Sequence, residues 1–162
     1  MIIGIVGDTH NNLNNISKIC EIFNEEQAEL VLHTGDITLP KSLKAFEKLN
    51  CKLIGVFGNN DIEEKIQLLE VADILKFELK KEPFFIKLND ISICILHHPE
   101  LIDKNLLDKS DFIFHGHTHR YRNEKIKDTL IFNPGECAGI ISGKNKIGLL
   151  DLSNPIPKVI SF

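Results

Sequence analysis

Residues 1–10 read MIIGIVGDTH, an apolar run that ends at a glycine and is followed by polar residues. Residues 30–36, LVLHTGD, and residues 52–61, KLIGVFGNND, repeat the same order of an apolar run, a glycine and polar side chains. Because each run is apolar throughout instead of alternating, it is typical of a strand that is buried on both faces. The three segments therefore predict three strands of a sheet that is covered on both sides.

Between these runs, the spacing of the apolar residues changes to that of a helix. Apolar side chains recur at i, i+3, i+4 and i+7 in the first segment, and the second repeats the spacing after Pro40, a helix-start signal. The residues are Ile16, Ile19, Cys20 and Phe23 in the first segment, and Leu43, Phe46 and Leu49 in the second. The first third of the chain therefore reads β-α-β-α-β, which predicts parallel strands with right-handed crossovers.

The rest of the chain contains short strand candidates separated by turn residues. The predicted strands are 74–79, 84–88, 91–96, 112–114, 122–127, 130–132, 146–152 and 158–161. Hairpin turns are predicted at 89–90, 128–129 and 142–145, and one helix over 99–108. This strand count is too high for one simple parallel sheet. It indicates an α/β fold with two packed sheets and helices outside.

The composition is that of a soluble globular protein, with 43% hydrophobic and 26% charged residues. The length of 162 residues suits one compact core, so we expect residues 1–162 to form a single domain. Intrinsic disorder is excluded because it requires few apolar residues and a large net charge. No apolar run approaches the roughly eighteen residues that span a bilayer.

The net charge and the cysteines indicate which binding partners are disfavoured and in which cellular compartment the protein is expected. The net charge of −4 disfavours a basic stripe that would bind long nucleic acid. Residues 1–6 carry neither a basic segment nor a cleavage site, so we expect no secretory signal. The four cysteines lie far apart without a Cys-x-x-Cys pair. Reduced thiols in the cytoplasm are therefore expected.

Polar side chains that can bind metal ions follow five of the predicted strands. Ligands bind outside the carboxyl ends of strands in open α/β sheets, so we expect these side chains to share one site. The spacing of two in the pairs 8/10 and 117/119 would place both side chains of each pair on one face if the backbone is extended. The seven candidate metal ligands are Asp8, His10, Asp36, Asn59, His97, His117 and His119.

Seven nitrogen and oxygen donors exceed the four that close a structural zinc site. They suit two metal ions that share a bridging carboxylate and keep open positions for water and substrate. Imidazole combined with carboxylate favours Mn²⁺, Fe²⁺, Co²⁺, Ni²⁺ or Zn²⁺ over Ca²⁺. Two dications, two aspartates and a hydroxide leave a net charge of about +1, which favours a phosphate ester as substrate.

These motifs, in this order, resemble the calcineurin-like metallophosphoesterases. The pattern Asp-x-His, Gly-Asp, Gly-Asn-x-Asp, His and Gly-His-x-His spans residues 8–119, and an Asn-Pro-Gly segment follows at residues 133–135. The short chain without a cap domain looks most like the small archaeal and bacterial phosphodiesterases. The resemblance implies a four-layer α-β-β-α sandwich of two packed mixed sheets flanked by helices.

The resemblance also implies how the ligands divide between two ions. Asp8, His10, Asp36 and His119 would hold one ion, and Asp36, Asn59, His97 and His117 would hold the other, so that Asp36 bridges them. It implies hydrolysis of a small phosphodiester by a hydroxide that bridges two ions, with Mn²⁺ or Ni²⁺ preferred and Fe²⁺, Co²⁺ or Zn²⁺ open.

Two positions depart from the family pattern and are the candidate catalytic residues. Many members have a histidine that protonates the leaving oxygen where this chain has Asn60, and an amide cannot act as a general acid. Weaker activity, biased toward good leaving groups, is therefore expected. His98 replaces a common glycine and is either a substitute proton donor or a loop side chain.

Two other functions stay open at this stage. The first is a non-catalytic protein-interaction scaffold, since one eukaryotic coat-complex subunit with decayed catalytic residues resembles this fold. Asn60 favours this reading, whereas the intact pair of Asp8 and His10 opposes it. The second is a phosphomonoesterase, which the same two ions could serve. The sequence does not determine the physiological substrate or the oligomeric state, for which a homodimer is one option.

Several polar residues near the motifs have simpler structural interpretations. His33 and His115 are expected to be buried structural histidines at strand ends. Cys137 is expected to be a small buried side chain. Residues 11–15 predict a helix cap, and Asp61 is expected to cap a helix or orient a ligand.

Overall fold

The computed structural model describes residues 1–140 and 143–162, which form two β-sheets with helices on their outer faces. In chain order the elements are β1 (Ile2–Val6), α1 (Leu13–Glu25), β2 (Leu30–His33), α2 (Pro40–Ala45), β3 (Lys52–Val56), α3 (Lys65–Leu75), β4 (Glu78–Lys80), β5 (Phe84–Leu88), β6 (Ile91–Ile95), α4 (Lys104–Lys109), β7 (Phe112–Phe114), β8 (Arg122–Ile126), β9 (Thr129–Asn133), β10 (Lys146–Asp151) and β11 (Asn154–Ser161). Short 3₁₀ turns cover Phe46–Lys48, Asn59–Asp61 and Pro99–Leu101.

The first sheet has the strand order β11-β10-β1-β2-β3-β4. Strands β1 to β4 are parallel, and β10 and β11 extend the sheet in the antiparallel sense. The predicted β-α-β-α-β start is therefore confirmed. The cap predicted at 11–15 is also present, because the side chain of Asn12 accepts a hydrogen bond from the backbone N–H of Asn15 at the start of α1.

The second sheet has the strand order β5-β6-β7-β9-β8. Strands β6, β7 and β9 are parallel, whereas β5 and β8 pair with their neighbours in the antiparallel sense. The hairpin predicted at 89–90 joins β5 to β6. The hairpin between β8 and β9 turns at residues 127–128, one residue before the predicted 128–129, because Thr129 already pairs with Ile126 as the first residue of β9. Both sheets are therefore mixed.

Three apolar clusters define the layers. The first lies between the sheets, the second packs helices α1 to α3 against the first sheet, and the third packs α4 against the second sheet. The predicted four-layer α-β-β-α sandwich is confirmed. The central cluster contains Ile3, Ile5, Leu30, Leu32, Val56, Ile93, Ile95, Phe112, Phe114, Phe132 and Leu150.

Three predicted elements have different bounds. The strand predicted at 74–79 covers the last two residues of α3, a two-residue connection and the first two residues of β4. Lys76 adopts a left-handed conformation (φ 59°) that stops the helix. The helix predicted at 99–108 is a 3₁₀ turn followed by α4, which begins afresh because the Asp103 side chain caps Leu106 N–H. The last strand begins at Asn154 instead of 158.

The turn predicted at 142–145 is not a hairpin, since β9 and β10 belong to different sheets. Residue 142 itself lies outside the described residues. Within residues 1–140 and 143–162, none of the helices combines the length and the apolar character that crossing a lipid bilayer demands.

Candidate metal centre

The seven predicted ligands lie together at the carboxyl ends of the parallel strands of both sheets. Asp36, which follows β2, is at the middle of the cluster. Its Oδ2 atom lies 3.7 Å from His10 Nε2 and 3.5 Å from His97 Nε2. The loops after β1, β2, β3, β6 and β7 therefore contribute to one site, as the position of these residues in the sequence predicted.

Asp8, His10 and His119 form the first donor set, on one side of Asp36. His119 Nε2 is 3.6 Å from Asp8 Oδ1, and the rings of His10 and His119 stack with centroids 5.4 Å apart. One ligand atom from each of these three residues lies within 4.8 Å of the others. Asp8 Oδ2, His10 Nε2 and His119 Nδ1 are buried atoms without a hydrogen-bond partner. Buried polar atoms are usually paired, so this set fits a cation.

Asn59, His97 and His117 form the second donor set, on the other side of Asp36. Asn59 Oδ1 lies 3.0 Å from His97 Nε2 and 3.1 Å from His117 Nδ1. His97 Nδ1 donates a hydrogen bond to the Thr34 carbonyl at 2.9 Å, which leaves Nε2 with a lone pair directed into the cluster. A lone pair fixed in this way is typical of a histidine that binds a metal ion.

Asp36 is held by Asn60, one of the two candidate catalytic residues. The Asn60 backbone N–H donates to Asp36 Oδ1 at 2.9 Å, and its side-chain Nδ2 donates to Asp36 Oδ2 at 2.8 Å. Both contacts fix the orientation of the carboxylate between the donor sets. The structure thus places Asn60 as a positioning residue for Asp36.

The backbone at the ligands is strained in a way that the sequence pattern did not indicate. Five of the seven have positive φ angles, which cost about 1–3 kcal/mol each for non-glycine residues and cluster at functional sites. The pairs are therefore not extended, so the condition under which each pair would place both side chains on one face is not met. His117 and His119 enter different donor sets. The five residues are Asp8, His10, Asp36, His117 and His119.

Glycines allow the loops to approach one another closely. A Cβ atom on Gly58 would lie 2.2 Å from Asp36 Oδ1, and one on Gly35 would lie 2.7 Å from His97 Nδ1. Gly35 also has a φ of +100°, which side chains rarely adopt. A larger residue at either position would displace a ligand.

Burial favours the neutral form that a histidine needs to bind a metal ion, but it opposes the ionised form that an aspartate needs. Desolvation lowers the pKa of His97 and of His119, so both rings are neutral near pH 7. Desolvation raises the pKa of Asp8 to about 8. Burial also opposes ionisation of Asp36, but His97 and the hydrogen bonds from Asn60 hold its pKa below the usual value.

Three further carboxylates lie close to the ligands, and the charge count from the sequence included none of them. Asp61 accepts the backbone N–H groups of Asp36, Thr38 and Gly58, which confirms that it orients a ligand loop. Glu136 Oε2 lies 3.8 Å from His119 Nδ1. Glu82, which no motif marked, contacts the loop that carries His97. The predicted net charge of about +1 counted only the two ligand aspartates and none of these three carboxylates.

His98, the second candidate catalytic residue, lies beside the second donor set. Its ring centroid is 4.6 Å from that of His117 and 4.7 Å from that of His97. Its Nδ1 atom pairs with Glu82 Oε1. Hence His98 is part of the cluster and not a remote loop side chain.

The residues that were assigned structural roles are buried as expected. His33 accepts the Gly35 N–H on Nδ1 and faces Thr9 Oγ1 with Nε2 at 3.1 Å. His115 Nδ1 donates to the Gly116 carbonyl at 2.9 Å. Cys137 is fully buried, and its thiol contacts the Lys146 carbonyl.

The order of these motifs along one fold matches a known family over nearly the whole chain. The model of the calcineurin-like phosphoesterase superfamily domain matches residues 1–155. The chain belongs to this superfamily. The predicted resemblance and the prediction of an enzyme are both confirmed, and the protein is a phosphoric ester hydrolase.

Individual relatives of this phosphoesterase cover its full length. Phosphodiesterase MJ0936 of Methanocaldococcus jannaschii is 38% identical over 155 residues, which are 93% of each chain. Phosphodiesterase YfcE of Escherichia coli K12 is 28% identical in an alignment of 171 residues including gaps, which covers 96% of this chain and 89% of that one. The solved structure of an archaeal phosphodiesterase matches with a TM-score of 0.91 and 36% identity and covers 100% of both chains.

Proposed function

We propose that this phosphoesterase is a phosphodiesterase that binds two divalent transition-metal ions. One observation carries the proposal: a single oxygen, Asp36 Oδ2, lies within 3.7 Å of a histidine nitrogen from each donor set. A bridging carboxylate between two sets of nitrogen and oxygen donors is what a two-metal hydrolytic site requires. The unpaired buried atoms of the first donor set support the same assignment.

We assign the first donor set and Asp36 to one ion, and the second donor set and Asp36 to the other. When bound, such ions activate water and bind phosphoryl oxygens in an in-line displacement. Asn60 orients the carboxylate that the two ions share, and its amide supplies no proton to the leaving oxygen. Esters with good leaving groups are therefore the better substrates. His98 belongs to this proposal as a side chain that acts at the centre.

The surroundings of the centre support a small anionic substrate. An open cleft beside His119 is lined by three cationic side chains and one carboxylate, Glu136. The cations are Arg120, Lys144 and Lys146. These cations offset the additional carboxylates near the ligands and would attract a phosphate diester. The names of the two curated relatives, both phosphodiesterases, agree with a diester.

The ions and the compartment are part of the proposal. Mn²⁺ or Ni²⁺ are the proposed native ions, and the imidazole, carboxylate and amide donors are compatible with both. All four cysteines are free thiols, which supports the proposal that the protein is located in the cytoplasm. We further propose that residues 1–162 act as one domain.

Hydrolysis of bis-p-nitrophenyl phosphate tests the proposal. Purified protein with Mn²⁺ or Ni²⁺ is expected to hydrolyse it, and both EDTA and His119→Ala are expected to abolish the activity. Metal analysis of the purified protein is expected to give two ions per chain. A rate no higher than that of the metal ions without protein would refute the enzyme, and failure to bind any ion would favour the scaffold.

The ratio of diester to monoester hydrolysis decides between the two kinds of phosphoesterase. Bis-p-nitrophenyl phosphate and p-nitrophenyl phosphate share one leaving group, so the comparison isolates the second ester arm. We expect the higher kcat/KM for the diester. A higher value for the monoester would identify a phosphomonoesterase with the same centre.

A further inference from the structure

We propose that His98 is an additional ligand of the ion held by the second donor set, and that Glu82 presents it for this role. The inference rests on the proposed two-metal function and goes beyond the seven ligands that the motifs supply. It is suggested by the position of one ring nitrogen of His98, which lies within 4.8 Å of ligand atoms of His97 and His117.

Glu82 determines which nitrogen of His98 is available. The carboxylate of Glu82 accepts a hydrogen bond from Nδ1 through Oε1. With this partner, the neutral form of the ring has its proton on Nδ1 and its lone pair on Nε2. A carboxylate that accepts from one nitrogen of a histidine while the other binds a metal ion is the usual second layer of a metal site.

Glu82 is built into the loop that carries the second donor set. Its Oε2 atom accepts the backbone N–H of His97 at 2.6 Å and that of His98 at 2.9 Å. The Glu82 side chain is only 13% exposed. One buried carboxylate thus orders the backbone at a predicted ligand and fixes the ring beside it.

A fifth donor changes the chemistry of this ion. Asp36 and Asn59 would provide two oxygens, and His97, His98 and His117 would provide three imidazoles. Nitrogen-rich sites favour Ni²⁺ and Co²⁺ over Mn²⁺. We therefore expect His98 to increase the preference of the second donor set for Ni²⁺.

Calorimetric titration of the metal-free full-length protein with Ni²⁺ and, separately, with Mn²⁺ tests this role. His98→Ala is expected to weaken one of the two ions by at least the roughly 10- to 100-fold that loss of an outer partner of a ligand costs, and to leave the other ion unchanged. The loss is expected to be greater for Ni²⁺ than for Mn²⁺. Glu100→Gln is the control, since Glu100 is an exposed carboxylate on the turn that follows His98.

Glu82→Gln provides a second, sharper test because the amide oxygen can still accept the two backbone N–H groups. Its NH₂ group would donate to His98 Nδ1, so the proton would move to Nε2 and the lone pair would be lost. We expect this variant to weaken the same ion as His98→Ala although the histidine is retained. Long-range ¹H–¹⁵N spectra of the metal-free protein are expected to show the change of tautomer.

Wild-type affinity for both ions in folded His98→Ala would overturn the inference and leave the proposed function intact. If His98→Ala does not fold, wild-type affinity in Glu82→Gln overturns it. Weakening in Glu82→Gln but not in His98→Ala would also overturn it, because Glu82 would then act through the backbone alone. A wild-type protein that binds no ions would instead refute the proposed function.

Discussion

The first and second donor sets meet at Asp36, but they are built in different ways. In the first set all three residues, Asp8, His10 and His119, have left-handed backbone conformations with φ angles of 51°, 45° and 55°. In the second set only His117 does, with a φ of 68°. The second set is instead held by contacts between its own side chains and by the Thr34 carbonyl.

The two sets also differ in the polar atoms that they leave without partners. Each residue of the first set has one buried atom of this kind, and the second set has none among the described residues. Leaving a buried polar atom unpaired costs about 1–3 kcal/mol. The comparison teaches that contacts within the protein order one half of the centre, whereas the other half leaves buried polar atoms that a cation would satisfy.

Removal of the shared carboxylate is expected to have the largest effect, because it damages both sets at once. Asp36→Asn keeps the size of the side chain but removes its charge. Diester hydrolysis is expected to fall by more than about 100-fold, beyond the loss typical of an outer partner of a ligand. Metal analysis after gel filtration is expected to show fewer than two ions per chain. Two tightly bound ions in this variant would contradict the bridging position.

Removal of one histidine from each set compares the two halves directly. His119→Ala and His117→Ala are each expected to bind one ion instead of two. Because ligands that bind the folded state raise its stability, Mn²⁺ is expected to raise the Tm of His117→Ala more than that of His119→Ala. The reason is that His117→Ala keeps the first set, whose unpaired atoms the ion satisfies. Equal Tm shifts in the two variants would refute this difference.

His33, a buried histidine near the donor sets, is expected to make the free energy of unfolding depend on pH. Burial lowers the pKa of His33 to about 3. The unfolded chain takes up a proton at pH values below about 6.5, whereas the folded state stays neutral until about pH 3. Unfolding free energy is therefore lost as pH falls through this window, by about 1.4 kcal/mol per pH unit.

His33→Gln is expected to lack this part of the pH dependence. Urea unfolding of both proteins at pH 7 and pH 5 measures it, with EDTA present because metal binding is itself pH-dependent. The wild-type protein should lose more stability than the variant between the two pH values. Identical losses would show that His33 is not neutral in the folded state.

The smallest effect is expected from Asn60, which orients Asp36 but donates only one of its two hydrogen bonds through the side chain. Asn60→Ala is expected to weaken metal binding by about tenfold. This is the lower end of the range of roughly 10- to 100-fold that is typical when a residue that orients a metal ligand is lost. Calorimetric titration with Mn²⁺ measures the change. A loss of activity with unchanged metal affinity would mean that the Asn60 side chain contacts the substrate instead.

The predictions from sequence were best where burial leaves a regular pattern. Strands β1 to β3 are largely buried on both faces and helix α1 is buried along one face. Their apolar residues therefore follow the spacing from which these elements were predicted. Helix α3 was missed because Ile66, Leu69 and Ile74 are exposed while Leu68 and Ala72 are buried, which destroys the single apolar stripe. Exposed apolar residues obscure helical periodicity.

The amino-acid sequence alone determined the donor types, their positions after strands and the resemblance to a metallophosphoesterase, because these depend on residue identity and local order. The tertiary structure decided how the ligand loops bend to bring the donors together, how Asn60 holds Asp36 and that Glu82 lies behind His98. Those facts depend on left-handed turns and on contacts between segments 15 or more residues apart. No local spacing records such contacts, since they arise only when two separate loops pack at one edge of the sandwich.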